Sequence, residues 1–252
     1  MTRAPLLLTF LLACTPDGHS GRTLRVLTAS SLQDAFTDIA EGFEQGHPGT
    51  EVEIVVAGSH TLAAQVRHGL EADVLASADP ELLEALVTDD LAHPSEPLTR
   101  NRLMLAVGAT APTGLDLDRL PECRRLVLGD PSVPVGRYAD ALLDAAARTR
   151  GPTWRQQVEE RVVSREPDAR RVAAKVSLGE ADAAVVYATD IRGLEPIQAV
   201  ELPQALGPTP TYASSTLIGA PAPDLATAWQ RHTRSAQGQA ILSSHGFQPV
   251  LP

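Results

Sequence analysis

Four turns along the chain combine serine, glycine or a helix-capping residue with the predicted start of a helix. These turns are Ser30–Ser31, Gly58–Ser59, Val135–Gly136 and Asp168–Ala169. The first turn of a helix leaves backbone N–H groups without partners and has about half a positive charge. Four such turns that meet at one point would hold an anion without any Lys or Arg. Each turn by itself is better explained by an ordinary helix cap, and only the four together suggest an anion site.

The turns belong to an alternating β–α pattern that begins at Leu24. Leu24–Leu27 and Val52–Val56 are short strand-like segments, each followed by one of these turns, and Ala183–Tyr187 is an apolar strand that ends in a tyrosine. Apolar residues recur at helical spacing between the strands. Repeated βα units predict an α/β fold in which mostly parallel sheets are flanked by helices. In such sheets, ligands bind outside the carboxyl ends of the strands.

The order of these units predicts two lobes with a ligand cleft between them. The strand Leu103–Val107 separates two sets of βα units, and the chain turns back near Pro208–Tyr212. We therefore expect residues 24–102 and 212–252 to form lobe I, and residues 103–211 to form lobe II.

Several helix boundaries can also be predicted. Asp79–Pro80 and Asp168 are typical of helix starts, and Ser31 with Asp34 resembles a capping pair. The segment Asp224–Leu242 is expected to form one terminal helix.

The N-terminus predicts export and a lipid anchor. An apolar run that is too short to span a bilayer precedes Leu11–Cys14, which resembles a bacterial lipobox. We expect residues 1–13 to be a lipoprotein signal peptide, Cys14 to be lipidated, and residues 14–23 to be a flexible tether. A plain secretory signal or a misplaced start codon are the alternatives.

Composition excludes several classes of function. The formal net charge is −10 and no Lys/Arg-rich run occurs, which argues against nucleic acid or an anionic membrane surface as the partner. No metal-ligand spacing and no G-x-S-x-G motif is present, and lipidation of Cys14 leaves Cys123 without a disulfide partner. Asp79, Asp130 and Asp182 could act as acids in an enzyme, but helix caps or surface positions explain them better.

Six segments, in chain order, resemble the periplasmic molybdate-binding proteins of ABC transporters, which are type II solute-binding proteins. Ala72–Asp79, with the sequence ADVLASAD, is the most specific, since the family has ADVFASAD there. The other five are Leu27–Leu32, Ala57–Leu62, Gly129–Tyr138, Gly179–Tyr187 and His245–Phe247. The resemblance covers nearly everything after the tether.

The resemblance implies five residues that bind molybdate or tungstate. They are Ser31 and Ser59 in lobe I, and the backbone N–H groups of Val135 and Ala169 and the phenol of Tyr187 in lobe II. It also implies binding without catalysis or a cofactor, in a monomer that delivers the anion to a permease and ATPase complex. The expected location is periplasmic or extracytoplasmic, with the anchor at Cys14.

Two departures from the family pattern stand out, and two other functions remain open. The loop Asp130–Pro134 is one residue shorter than usual, and Thr149–Gln157 resembles an inserted surface loop. Another tetrahedral oxyanion such as sulfate is an alternative ligand. An effector-sensing domain of a transcription regulator shares the fold, but this chain has a leader and no helix-turn-helix.

Overall fold

The computed structural model describes residues 21–250. The predicted signal peptide, Cys14 and most of the predicted tether lie outside this range.

The strands are β1 (Arg22–Ala29), β2 (Thr50–Ala57), β3 (Val74–Ser77), β4 (Glu96–Arg100), β5 (Leu103–Val107), β6 (Leu126–Gly129), β7 (Val162–Glu166), β8 (Ala183–Tyr187), β9 (Gln198–Glu201) and β10 (Thr211–Thr216). The helices are α1 (Gln33–Gly46), α2 (Ser59–Arg67), α3 (Pro80–Thr88), α4 (Pro134–Arg150), α5 (Pro152–Glu159), α6 (Ala169–Ser177), α7 (Ala188–Ile191), α8 (Pro223–Arg234) and α9 (Ala236–Ser244). Short 3-10 turns occupy Ser30–Leu32, Leu120–Glu122 and Gln204–Leu206.

The strands form two separate five-stranded sheets. Their orders are β2-β1-β3-β10-β4 and β7-β6-β8-β5-β9. In the first sheet β10 is antiparallel to both neighbours, and in the second β5 is antiparallel to both neighbours, while the remaining pairings are parallel. Four strands of each sheet therefore point in one direction. The predicted α/β class with two lobes and mostly parallel sheets is confirmed.

Each sheet has its own apolar core. One cluster of buried side chains contains only residues between Leu103 and Leu202, and two others contain residues up to Leu98 together with residues from Tyr212 onward. Trp229 on α8 is fully buried and meets Phe36 and Phe43 of α1 edge-to-face, with ring centroids 5.5 and 5.4 Å apart. These aromatic contacts stabilise the packing of the C-terminal segment against the lobe that contains the first sheet.

The chain crosses between the sheets at two neighbouring points. β4 leads directly into β5 through Asn101 and Arg102, and the segment after β9 returns the chain to β10. The Asn101 N–H donates to the Pro210 carbonyl at 2.8 Å, so the two crossing strands are tied together. Asn101 is fully buried there.

Two sequence-based expectations were wrong. The terminal segment forms two helices, because the Ser235 hydroxyl accepts from the Gly238 N–H at 3.2 Å and begins α9 as a cap. The segment Thr149–Gln157 is largely helical and lies in the end of α4 and in α5. Trp154 explains why, since its ring is buried and its Nε1–H donates to the Asp118 carbonyl at 3.1 Å.

No helix in the described part of the chain is both long and apolar enough to cross a bilayer.

Candidate functional site

A small cavity lies between the lobes, at the carboxyl ends of strands from both sheets. All five residues proposed from the sequence line it. It encloses about 240 Å³ of empty space, part of which is open to solvent. The lining residues are Ala29, Ser30, Ser31, Gly58, Ser59 and Ala78 on one side, and Val133, Pro134, Val135, Pro167, Asp168, Ala169 and Tyr187 on the other. The tertiary structure thus brings the four predicted turns to one place.

The hydroxyl of Ser31 is oriented by two buried residues. The Asn101 Oδ1 accepts from the Arg102 N–H at 2.8 Å, which identifies Nδ2 as the atom that donates to the Tyr212 hydroxyl at 3.2 Å. Tyr212 stays protonated because burial raises the pKa of its phenol, and its hydroxyl lies 2.9 Å from Ser31 Oγ. We assign the Tyr212 proton to this contact, which leaves the Ser31 proton free to donate into the cavity.

A backbone N–H orients the hydroxyl of Ser59 in the same way. Its Oγ accepts from the Ala78 N–H at 3.0 Å, and both groups are buried. The oxygen is thereby occupied as an acceptor, so the hydroxyl proton is available for a second partner. Ser59 is the first residue of α2, where no side chain caps the free N–H groups. Its hydroxyl and this helix start are therefore both available as donors at the cavity.

Tyr187 presents a buried donor that the chain does not satisfy. Its side chain is 1% exposed, and its hydroxyl has no hydrogen-bond partner among the described residues. Burial raises the pKa of the phenol well above its usual value, so the group is an O–H donor at neutral pH. An unpaired buried hydroxyl costs free energy, and it therefore indicates a partner that is not part of the protein.

Two helix starts supply the remaining donors. α4 begins at Pro134 with no side-chain cap, and Val135 is its second residue. At α6 the Asp168 side chain caps the Arg171 N–H at 2.9 Å, as predicted, which leaves the Ala169 N–H without an intrahelical partner. Both N–H groups lie where an anion gains most from the helix dipole.

The shortened loop Asp130–Pro134 is compact and folds onto the start of α4. The Ser132 N–H and hydroxyl both donate to the Asp130 carboxylate, at 2.8 and 2.6 Å, and these bonds lower the pKa of that carboxyl. A Cβ on Gly136 would lie 2.0 Å from the Asp130 carbonyl oxygen. Only glycine permits this approach, so Gly136 fixes the loop that aims the Val135 N–H.

Charged side chains contribute little to the cavity wall. Neither Lys nor Arg lines it, and its one acid, Asp168, is engaged with the N–H and the guanidinium of Arg171. Within residues 21–250, no group of three or more His, Cys, Asp or Glu could hold a metal ion. The site is a set of neutral hydrogen-bond donors, which suits a fully deprotonated anion.

The three acids considered for catalysis lie outside the cavity wall. Asp79 caps α3 by accepting from the Glu81 N–H at 3.1 Å, as predicted. Asp182 is buried and accepts from Thr110 Oγ1 at 2.8 Å and from Arg125 at 2.9 Å. Together with the Ser132 bonds to Asp130, these contacts give each of the three a structural role.

The expected capping pair of Ser31 and Asp34 was wrong. Ser31 lies in a 3-10 turn without a side-chain cap, and its hydroxyl contacts Tyr212. Asp34 instead pairs with Arg170 of the other lobe at 2.6 Å. Tyr212 and Asn101 are functional candidates that sequence reasoning missed, because no local pattern marks a residue that supports a serine 181 positions away.

The chain matches a known family over almost its full described length. The model of the bacterial extracellular solute-binding protein family covers residues 24–248. A molybdate-binding protein ModA of Mycobacterium tuberculosis is 33% identical over 244 residues, which is 93% of this chain and 88% of that protein.

Solved structures share the fold. A periplasmic molybdate-binding protein of Azotobacter vinelandii superposes with a TM-score of 0.77 at 19% identity, over 91% of this chain and 99% of that one. The sulfate-binding protein SubI of M. tuberculosis reaches a TM-score of 0.80 at 17% identity, over 92% of this chain and 88% of its own. At these identities the comparison establishes the two-lobed fold alone.

Proposed function

Because this chain belongs to the family of bacterial extracellular solute-binding proteins, we propose that it captures molybdate or tungstate between its two lobes and delivers the anion to an ABC transporter. The proposed ligands are the hydroxyls of Ser31, Ser59 and Tyr187 and the backbone N–H groups of Val135 and Ala169. The relative named as a molybdate-binding protein, similar over 93% of the chain, supports this choice of anion.

The observation on which the proposal rests is that the cavity gathers five hydrogen-bond donors, while its one carboxylate, Asp168, is engaged with Arg171. Each charge-assisted hydrogen bond contributes ~1.5–3 kcal/mol, so five of them offset a large part of the cost of removing a dianion from water. In our assignment Ser31 accepts from the Tyr212 hydroxyl, and Ser59 accepts from the Ala78 N–H, so both serines keep a proton to donate. The O–H of monohydrogen phosphate needs an acceptor instead, so a site rich in donors favours a fully deprotonated anion.

Sulfate is the second candidate, because it is also a tetrahedral dianion at neutral pH and needs only donors. The sulfate-binding protein of the same fold supports keeping it. The anions differ in size: molybdate and tungstate are nearly equal, and both are larger than sulfate.

Isothermal titration at neutral pH with molybdate, tungstate, sulfate and phosphate tests the proposal. We expect tight binding of molybdate and tungstate, weaker binding of sulfate and the weakest binding of phosphate. If sulfate bound more tightly than molybdate, sulfate would become the proposed ligand. Tight binding of phosphate would contradict a site built from hydrogen-bond donors.

We propose a binding role without catalysis and without a cofactor. Ser31 and Ser59 contact a phenol and a backbone amide, neither of which is a base that could activate a nucleophile. The expected partners are the permease and ATPase of the transporter, and the chain is proposed to act as a monomer. An extracytoplasmic location follows from the family.

The lipid anchor at Cys14 is a separate proposal, which rests on the lipobox-like Leu11–Cys14. Metabolic labelling of the producing bacterium with palmitate should mark the wild-type protein and leave a Cys14→Ser variant unmarked. Equal labelling of the two proteins, or none of either, would contradict the anchor and leave the anion site unaffected.

We further propose that the lobes divide as residues 24–102 with 212–252, and residues 103–211. The strands up to β4 pair with β10 in one sheet, and β5 to β9 form the other. The separate apolar cores support the same division.

A further inference from the structure

Two arginines of lobe II form ion pairs with carboxylates of lobe I. Arg137, two residues after Val135, contacts the carboxylate of Asp79. Arg170, the residue after Ala169, donates from Nε to the Ser30 carbonyl at 2.8 Å and pairs with the Asp34 carboxylate at 2.6 Å.

Neither arginine lines the cavity, so both guanidinium groups are directed to the opposite lobe rather than to the anion. The two contacts link the donor turns themselves. Arg137 belongs to the first turn of α4, and Arg170 to the first turn of α6. Movement of one lobe away from the other would break both ion pairs at once, because no residue of either pair lies on the crossing segments.

We propose that the pairs Arg137–Asp79 and Arg170–Asp34 are latches that hold the lobes closed and slow the release of the anion. This inference rests on the proposed anion-binding function. Asp79 is the stronger anchor, since its side chain is 8% exposed and is already fixed by its cap of α3. A charge pair that is partly shielded from water contributes more than an exposed pair, and its loss acts mainly on the dissociation rate.

The latches can be separated from a direct effect of charge on the anion. If only the local electrostatic potential mattered, removal of a carboxylate near an anion site would strengthen binding. If the carboxylates are latches, their removal weakens binding, because the arginine loses its partner in the closed form. Asp79→Asn and Asp34→Asn give opposite results under the two explanations, and asparagine preserves the cap of α3.

Stopped-flow and titration measurements with molybdate on Asp79→Asn and Asp34→Asn test the latches. We expect roughly twofold to tenfold faster release for each variant and a larger effect for the double variant. Asp89→Asn is the matched control, since it removes the same charge from a pair with Arg67 that lies within lobe I at 2.9 Å. This control should match the wild type.

A measurement that does not depend on affinity completes the test. Small-angle X-ray scattering reports lobe closure as a decrease in the radius of gyration, with and without molybdate. The double variant should be more open than the wild type in at least one of the two conditions. Two results would overturn the latches. One is tighter binding by either single variant, and the other is identical scattering of the double variant and the wild type in both conditions. Failure of the wild type to bind any of the four oxyanions would overturn the proposed function instead, while the scattering comparison would still decide whether the latches exist.

Discussion

Replacing Gly58 with alanine should lower the affinity for molybdate by about a hundredfold or more. A Cβ at this position would lie 2.7 Å from the carbonyl oxygen of Pro167, which belongs to the opposite lobe. A backbone oxygen cannot swing away as the end of a side chain can, so the lobes would have to separate locally. Lengthening two charge-assisted hydrogen bonds to the anion costs ~3–6 kcal/mol, which exceeds the ~2.8 kcal/mol of a hundredfold change in affinity.

The lobes themselves should be unaffected by this substitution. Gly58 has φ −63° and ψ 140°, an ordinary extended conformation that alanine adopts without strain. Titration calorimetry with molybdate measures the affinity, and thermal unfolding without ligand verifies that the fold is intact. Gly46→Ala is the matched control, since a Cβ there meets nothing within 4 Å. It should leave the affinity unchanged and the thermal stability equal or slightly higher, because alanine favours a helix. Wild-type affinity in Gly58→Ala would show that the lobes do not need this close contact to hold the anion.

Ser59→Ala and Tyr187→Phe should weaken molybdate binding to a similar degree but differ in their effect on stability. Each removes one donor to the anion, at a cost of ~1–3 kcal/mol, or roughly tenfold to a hundredfold in affinity. Ser59→Ala also leaves the buried Ala78 N–H without its acceptor, which should lower the free energy of unfolding by a further ~1–3 kcal/mol. Tyr187→Phe removes a hydroxyl that has no partner among the described residues, so the ligand-free protein should be as stable as the wild type or more so.

Titration calorimetry and denaturant unfolding in the absence of ligand separate these two effects. Val135→Ala is the control, because its backbone N–H remains in place and the side chain is not a proposed donor. Unchanged affinity in Tyr187→Phe, together with loss of binding in Val135→Ala, would mean that the proposed set of ligands is wrong. Equal stability of Ser59→Ala and the wild type would contradict the structural role assigned to the Ser59 oxygen.

Local sequence patterns were enough to predict most of the elements that form the site. The helix starts at Asp79 and Asp168 were predicted from local capping chemistry, and both side chains accept the expected N–H groups. The alternation of strands and helices predicted the α/β class, because a buried strand followed by an amphipathic helix is a local pattern. The five proposed ligands came from the resemblance to the molybdate-binding family. Four of them lie at the turns that the helix starts had indicated, and Tyr187 lies at the end of a predicted strand.

Three of the four edge strands and one interrupted helix were missed by these patterns. β4, β7 and β9 lie at sheet edges and are short, and most of their residues are at least partly exposed, so their apolar periodicity is weak. The break between α8 and α9 at Ser235 interrupts a helical pattern that continues on both sides. The edge strands depend on pairing with distant parts of the chain, whereas the helix break depends on the local cap at Ser235.

Only the tertiary structure decided how the site is supported and closed. Tyr212 orients Ser31 across 181 positions, Arg170 reaches the Ser30 carbonyl across 140, and Gly58 meets Pro167 across the cleft. A group that can donate to an anion can be recognised from the local sequence, since any hydroxyl and any free N–H at a helix start is a hydrogen-bond donor. Whether its proton is directed into the cavity depends on what occupies its other side, and that is fixed only when two lobes of the folded chain come into contact.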